Sequence, residues 1–398
     1  MTIALFMATA ALIAYTYVGY PLFMFLWSRF HPGPWHRSEI YPTISVIMAV
    51  HNGAAALPEK IAHLFTLDYP ENRLELIVVS DGSTDGTNKI LVAVTDPRFV
   101  PIICTEHRGK ASAVNEGIRR AGGDILVFVD IRPRLEQNSL RELVSNFADL
   151  RVGCAAGELC LSTDDHDGGT RAVGGLYWRY EQWMRKCETL IDSPVGVYGG
   201  FYAVRRECAT LLPEGLILDD MYQPLSVTRQ GWRSVLDERA RVWDVWPRTS
   251  THEFRRKVRT LAGNYQLVQL APWLLSHENR LWFQLVSHKL LRLMTPFLLL
   301  FLLALNGVLY SSPPYSALLL GQVLFYQLSV LGLIWDIPVL RRVSGPASAF
   351  VLLNAAAAVA LFKFTFRRGS LLSLWVPEKA EGLDKTGDLA VTRDAVQS

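Results

Sequence analysis

Residues 74–87 read Leu-Glu-Leu-Ile-Val-Val-Ser-Asp-Gly-Ser-Thr-Asp-Gly-Thr, an apolar run that ends abruptly in acids, hydroxyls and glycines. The core of this run, 76–79, is rich in β-branched residues suited to a strand covered on both faces. Ser83, Thr84 and Asp85 are placed to cap a helix immediately after it. A buried strand opening into a polar loop leaves Asp81 at the carboxyl edge of a parallel sheet, where ligands of open α/β sheets bind. A carboxylate held there by a glycine turn can accept hydrogen bonds from a ribose or a base. A strand-turn-helix with a capping Asp accounts for the same string.

The neighbouring sequence alternates in the same way. A second apolar strand, 44–50, ends in His51-Asn52-Gly53, and 57–65 has helical periodicity. A short strand near 100–104 precedes Glu106-His107-Arg108-Gly109-Lys110 and a helix over 111–121. Gly122-Gly123 closes that helix, and a fourth strand over 124–129 stops at Asp130. The alternation predicts a doubly wound nucleotide-binding α/β domain. Neither GxGxxG nor GxxxxGK[ST] occurs, which argues against a dinucleotide oxidoreductase and a P-loop NTPase.

The 398 residues exceed one ordinary domain, and 50% of them are hydrophobic. That balance suits a membrane protein with a sizeable soluble part. Residues 3–27 form an almost unbroken apolar run, long enough for a bilayer core of about 30 Å. The run starts uncharged and is succeeded by Arg29, His31, His36 and Arg37, unlike a cleaved signal peptide, and this positive flank places the polar middle of the chain in the cytoplasm. Further spans are expected at 293–310, 317–335 and 347–364, with a helix lying in the interface over 272–291. Lys289, Arg292, Arg341 and Arg342 fit an inside-out-inside path; Arg367-Arg368 does not. The layout is a membrane helix at 1–28, a cytosolic domain at 43–266, an interfacial region at 267–292, membrane helices at 293–366 and a polar, disordered tail at 378–398. A net charge of +3 is too small to argue for nucleic acid, and five cysteines without a CxxC pair read as reduced thiols.

Three strings in this order resemble the family 2 glycosyltransferases of GT-A fold. They are Val79-Ser80-Asp81-Gly82-Ser83-Thr84-Asp85-Gly86-Thr87, Arg108-Gly109-Lys110-Ala111-Ser112-Ala113-Val114-Asn115 and Phe128-Val129-Asp130. The group includes the processive membrane cellulose, chitin and hyaluronan synthases. The likeness continues through Tyr198-Gly199-Gly200-Phe201-Tyr202-Ala203-Val204-Arg205, Leu218-Asp219-Asp220, Gln230-Gly231-Trp232 and a basic helix over 253–266, so it covers roughly 43–266. It implies a Rossmann-like mixed sheet in a cytosolic GT-A domain, flanked by helices in the inner membrane. Asp81, with His51 and Asn52, would meet the base or ribose; Lys110 would lie near the pyrophosphate. Asp130 would be the first carboxylate of the DxD metal motif. Gly200 would line the path of the sugar chain on a glycine-rich strand over 196–204, a stretch that a β-bulge also explains. Asp219-Asp220 occupies the place of a Thr-Glu-Asp motif whose last Asp is the catalytic base. Arg259 would face the diphosphate.

Physical chemistry bears on these assignments. Like charge in the pair Asp219-Asp220 raises one pKa toward a value useful for taking a proton, although an acid pair at a helix N-terminus is also favoured by the dipole. The sequence departs from the family at two points. Arg132 stands where DxD has its second Asp, so a Mg²⁺ or Mn²⁺ ion would rest on Asp130 with diphosphate and water as co-ligands. Arg132 either touches phosphate or is a solvated surface arginine. Thr260 replaces a tryptophan usually placed under the acceptor sugar, which bears on processivity more than on transfer. The aromatics of 170–190 read as core or membrane contacts, and His252 as a structural histidine or a late metal or phosphate contact. The whole predicts an inverting membrane enzyme that moves sugar from a nucleotide-sugar, a UDP-sugar foremost, to a growing polysaccharide or glycan, with partners in a polysaccharide export system. Alternatives are transfer to a polyprenyl phosphate or other lipid-linked acceptor, and a nucleotide-binding pseudoenzyme.

Overall fold

The structure is a computed structural model that describes residues 1–162, 170–245, 250–334 and 338–366. The chain starts as a long apolar helix, α1 (Thr2–Phe30). It then runs β1 (Ile44–Val50), α2 (Leu57–Phe65), β2 (Leu74–Asp81), α3 (Thr87–Ala93), β3 (Phe99–Cys104), α4 (Lys110–Arg120) and β4 (Ile125–Val129). The second half of the domain comprises β5 (Arg134–Leu135), α5 (Ser139–Ser145), β6 (Val152–Ser162), α6 (Thr170–Ile191), β7 (Phe201–Arg205), α7 (Asp219–Arg229) and β8 (Arg233–Val245). Helix α8 (Ser250–Leu270) leads to α9 (Trp282–Val308), α10 (Pro313–Ile334) and α11 (Pro338–Phe366).

The eight strands of the described residues form one mixed sheet in the order β3-β2-β1-β4-β7-β6-β8-β5. The four strands of the first half are parallel, because a helix separates each from the next. β7 lies antiparallel between β4 and β6, and β8 runs parallel to β6. Alternation along β1 shows why the apolar runs are unbroken. Ile44, Val46 and Met48 enter one core with Leu57, Ile61 and Leu64 of α2, while Ile47 enters the other with Ala111 and Val114 of α4. β2 divides the same way, with Leu76 and Val78 on one side and Ile77 and Val79 on the other. Each such side chain contributes about 1.5–3 kcal/mol on burial.

Among the described residues four helices are long and apolar enough to cross a membrane: Thr2–Phe30, Trp282–Val308, Pro313–Gly332 and Ser344–Phe366. Two helices of the domain dock on them. Met184 and Cys187 of α6 pack with Tyr20 and Met24 of α1, and Val258 and Ala262 of α8 pack with Ala356 and Ala360 of α11. The expected interfacial helix over 272–291 resolves into a short turn, Pro272–Leu275, and the first turns of α9, which continue into the span without a break. The expected strand over 196–204 forms only from Phe201 onward. Ahead of it, Gly199-Gly200 turns, and the N–H of Val197 donates to the carbonyl of Asp220 instead of to a strand. Arg367-Arg368 and the tail at 378–398 lie outside the described residues.

Gly117 of α4 faces the sheet so closely that a Cβ there would lie 2.4 Å from Cγ2 of Ile47. In an open helix Gly→Ala stabilises by roughly 0.5–1 kcal/mol. Here Gly117→Ala must instead push a β-branched, buried neighbour, and overpacking of that kind costs about 1–3 kcal/mol. The variant is expected to melt below the parent in detergent; a melting temperature equal or higher would contradict this packing.

Candidate active site

Asp81 ends β2 with its side chain almost wholly buried. Its two carboxylate oxygens accept the backbone N–H groups of Arg108 and Gly109, both at 2.8 Å, and Nδ1 of His107 lies 2.9 Å away. Asp81 therefore fastens the loop before α4 to the sheet edge. The surface it presents is made by the rings of His51 and His107, stacked with centroids 4.0 Å apart. Asn52 braces the same edge from β1: its Oδ1 accepts the N–H of Thr84 at 2.8 Å and its own N–H donates to Ser83 Oγ at 3.0 Å. Asp85 caps α3 as expected, accepting the N–H of Thr87 at 2.9 Å.

Lys110, the first residue of α4, bridges two acids. Its Nζ lies 3.0 Å from Asp130 Oδ1 and 3.1 Å from Asp219 Oδ2. Burial alone would lower the affinity of Lys110 for its proton, but the carboxylates of Asp130 and Asp219 outweigh burial and hold its pKa above the ordinary lysine value. Asp130 stands just past β4, and its N–H donates to the carbonyl of Gly200 at 3.2 Å. Gly200 thus serves the site through its backbone.

Asp220 comes directly after Asp219 in the first turn of α7 but has a different environment. Burial, then the charge of Asp219, push its carboxyl up to about 6, against the opposing pull of Lys110. Its Oδ1 is enclosed and has no hydrogen-bond partner. A Cβ on Gly199 would stand 3.0 Å from Cβ of Asp220, so the glycine lets the loop close over the acid. One carboxylate is thus ion-paired and the other is poised near neutrality, the separation expected of an acid-base group.

Arg132 is half exposed, yet fixed. Its Nε and Nη2 donate to the two oxygens of Asp244 at 2.9 and 2.8 Å, and Asp244 is buried at the end of β8. The Tyr198 hydroxyl donates to the same carboxylate at 3.3 Å. Asp244 was not legible as a site residue, because nothing local in β8 marks it; only sheet closure brings it beside the Asp130 loop. Among the described residues no group of three or more His, Cys, Asp or Glu is arranged to hold a metal ion. Asp130 offers one part-exposed carboxylate, which fits a cation completing its shell from diphosphate and water.

One cavity of about 1100 Å³ joins these groups. His51, His107, Arg108, Lys110, Asp130, Arg132, Asp219, Asp220 and Asp244 line it, as do Gly196 to Gly200 and, from α8, Arg256, Lys257, Arg259 and Thr260. Asp81 and Asn52 stand behind this wall. Arg259 forms no ion pair among the described residues, so its charge is open to a ligand. Of the aromatics on α6, Trp178 reaches the cavity, whereas Trp183 lies 5.9 Å from Phe25 of α1. The side chain of His252 lies outside the described residues.

A mixed sheet whose parallel half presents acids, a bridging lysine and a basic helix at its carboxyl edge is a GT-A-like domain, here with long apolar helices on either side. Its fold is similar to that of the mannosyltransferase PcManGT from Pyrobaculum calidifontis in complex with GDP-Man and Mn²⁺, with a TM-score of 0.67 and 23% identity, covering 91% of this chain and 99% of that one. Residues 45–209 match the family described as glycosyl transferase family 2. It is 21% identical over 231 residues to the poly-β-1,6-N-acetyl-D-glucosamine synthase of Staphylococcus aureus (strain COL), covering 56% of this chain and 55% of that protein. It is 24% identical over 237 residues to the probable glycosyltransferase YdaM of Bacillus subtilis (strain 168), covering 57% and 56%. The chain spans about half the length of the curated relatives it matches.

If Arg132 is a ligand arm that Asp244 holds in place, Arg132→Ala should raise the donor KM severalfold with little change in kcat, and Asp244→Asn should do the same. Unchanged donor KM in both would reduce the pair to a surface tie.

Proposed function

We propose that this chain is an inverting glycosyltransferase that moves a sugar from a nucleotide-sugar, a UDP-sugar foremost, to a growing polysaccharide on the cytoplasmic face of the inner membrane. The observation that carries this reading is Asp220, a carboxylate held near neutrality on the wall of a cavity that also contains Lys110, Asp130 and Arg259. An acceptor hydroxyl gives its proton to Asp220 while its oxygen bonds to the anomeric carbon. The bond from that carbon to the nucleoside diphosphate breaks on the opposite face and the electron pair leaves with the diphosphate. Lys110 and Arg259 receive the charge that develops on the leaving group. His51 and His107 offer the base a stacking wall, with Asp81 and Asn52 holding the loops that carry it. A divalent cation, Mg²⁺ or Mn²⁺, would rest on Asp130 and neutralise diphosphate charge when bound; the Mn²⁺ and GDP-Man named for PcManGT support both a cation and a nucleotide-sugar.

Polymer synthesis is supported by the similarity to poly-β-1,6-N-acetyl-D-glucosamine synthase and by apolar helices on both sides of the domain. Partners in an export system belong to the same reading. Thr260 lies exposed on the cavity wall where a family tryptophan would carry acceptor sugar, which bears on processivity more than on transfer. Release of free nucleoside diphosphate from a panel of nucleotide-sugars, with and without EDTA, identifies the donor and the cation requirement. With the donor in hand, Asp220→Asn is expected to lower transfer by about 10²-fold to 10⁴-fold while calorimetric donor affinity stays near that of the parent. Near-parental transfer by Asp220→Asn, or greater damage from Asp219→Asn, would overturn the choice of base.

A further inference from the structure

Helix α8 joins two parts of the molecule. On one face Val258 and Ala262 pack against Ala356 and Ala360 of the apolar helix α11, and the ring of Tyr265 stacks on Phe364 with centroids 5.7 Å apart. On another face Arg259, Gly263 and Gln266 follow one another at i, i+4 and i+7, the spacing that aligns side chains along one stripe of a helix. That stripe meets the loop 214–218, whose chain runs directly into Asp219-Asp220 at the start of α7. The side-chain amide of Gln266 engages this loop twice. Its Oε1 accepts the N–H of Ile217 at 3.0 Å, and its Nε2 donates to the carbonyl of Gly215 at 2.9 Å. Gly215 stands at a φ of +71°, a left-handed turn that only glycine adopts without strain. Gly263 permits the close approach, since a Cβ there would lie 2.8 Å from Cγ of Leu218 and 3.1 Å from Cγ2 of Ile217.

Two requirements meet at this junction. Backbone groups of a loop that belongs to no strand or helix must find partners elsewhere, and one planar amide offers an acceptor to an N–H and a donor to a carbonyl. The same amide fixes how far the stripe on α8 stands from the first turn of α7. Gln266 lies two turns from Arg259, about 10 Å along the helix axis. Arg259 and residues 214–220 line the cavity, and Gln266 holds that wall from behind. The far end of the loop is fixed as well, because Leu218 is buried and Asp219 pairs with Lys110 at 3.1 Å. Arg259 thus rides on a helix docked to a membrane span, whereas Asp220 belongs to the sheet domain, and the amide of Gln266 is a direct tie between the two. We propose that Gln266 is a positioning residue: by clamping loop 214–218 to α8 it sets the guanidinium of Arg259 against the carboxylate of Asp220 across a fixed gap. The catalytic consequence rests on the glycosyl-transfer reading; the clamp does not.

The test uses the full chain in nanodiscs and has two arms. Hydrogen–deuterium exchange reads the clamp without donor. Gln266→Met keeps the length of the side chain but loses both hydrogen bonds, and it should speed exchange in peptides covering 215–219 severalfold; unchanged exchange would overturn the clamp. Turnover reads the positioning, as nucleoside diphosphate release in a double-mutant cycle with Arg259→Ala. Gln266→Met alone should lower kcat about tenfold, within what a misplaced catalytic group costs. In the Arg259→Ala background it should cost less than about twofold more, because the group it positions is gone. Gly263→Ala, which must drive α8 away from Leu218, should repeat this pattern. Losses that multiply across the cycle would mean a general structural role and overturn the proposal, as would parental kcat in Gln266→Met. Faster exchange in Gln266→Met, together with a parent that releases no nucleoside diphosphate from any donor, would sink the transferase reading and the positioning role with it while leaving the clamp in place.

Discussion

The ammonium of Lys110 ties together three parts of the chain that are far apart in sequence: the start of α4, the loop after β4 and the start of α7. Each contact is a charge-assisted hydrogen bond, worth about 1.5–3 kcal/mol in a favourable setting. The larger effect is electrostatic. By pairing with Asp130 and Asp219, Lys110 holds two acids together at one sheet edge, with Asp220 next to them on the buried side. Burial and the Asp219 charge then set Asp220 where a carboxylate can still take a proton at neutral pH. In the proposed reaction the basic helix α8 would complete the balance, since a departing diphosphate carries charge that these acids would otherwise repel.

A second ionic centre fixes the domain against the membrane helices. Tyr20 of α1, Glu181 and Glu188 of α6 and His288 of α9 meet in a fully enclosed network. Replacing such a network with apolar side chains of equal shape often costs nothing, so its value lies less in stability than in fixing one arrangement of the partners. Here that arrangement directs the far end of the cavity to the first turns of α9, and it makes the membrane helices part of the site.

The features legible in the sequence are the local ones. Strands β1, β2, β3 and β4 and helices α2 and α4 are visible as apolar periodicity, and Asp130 and Asp220 as acids at element ends. The second half was harder. β6 begins Val-Gly-Cys-Ala-Ala-Gly, whose small residues pack in a sheet centre without announcing a strand, and β8 is interrupted by Asp237, Glu238 and Arg239. Gly196 to Gly200 resembled a strand because glycine-rich turns and glycine-rich strands share a composition; only contact with Asp220 and Tyr198 distinguishes them. Asp244, His288 and Glu181 were out of reach for a different reason. Each acquires its role from partners roughly a hundred residues away, and no spacing rule connects Arg132 to Asp244 or Glu181 to Arg292.

The proposed role of Asp220 as catalytic base depends on a pKa raised by burial and by Asp219. Only its ionised form accepts a proton, so activity should be full above that pKa and fall as pH drops through it. The direct measurement is kcat/KM against pH for the parent and for Asp219→Asn, which reports groups of the free enzyme. The parent should lose activity on the acid side with a midpoint of about 6, and Asp219→Asn should move that midpoint to lower pH, because a like charge is removed and Lys110 is freed to favour the ionised form. A parental midpoint in the ordinary carboxylate range, or one that Asp219→Asn leaves in place, would contradict a base set in this way.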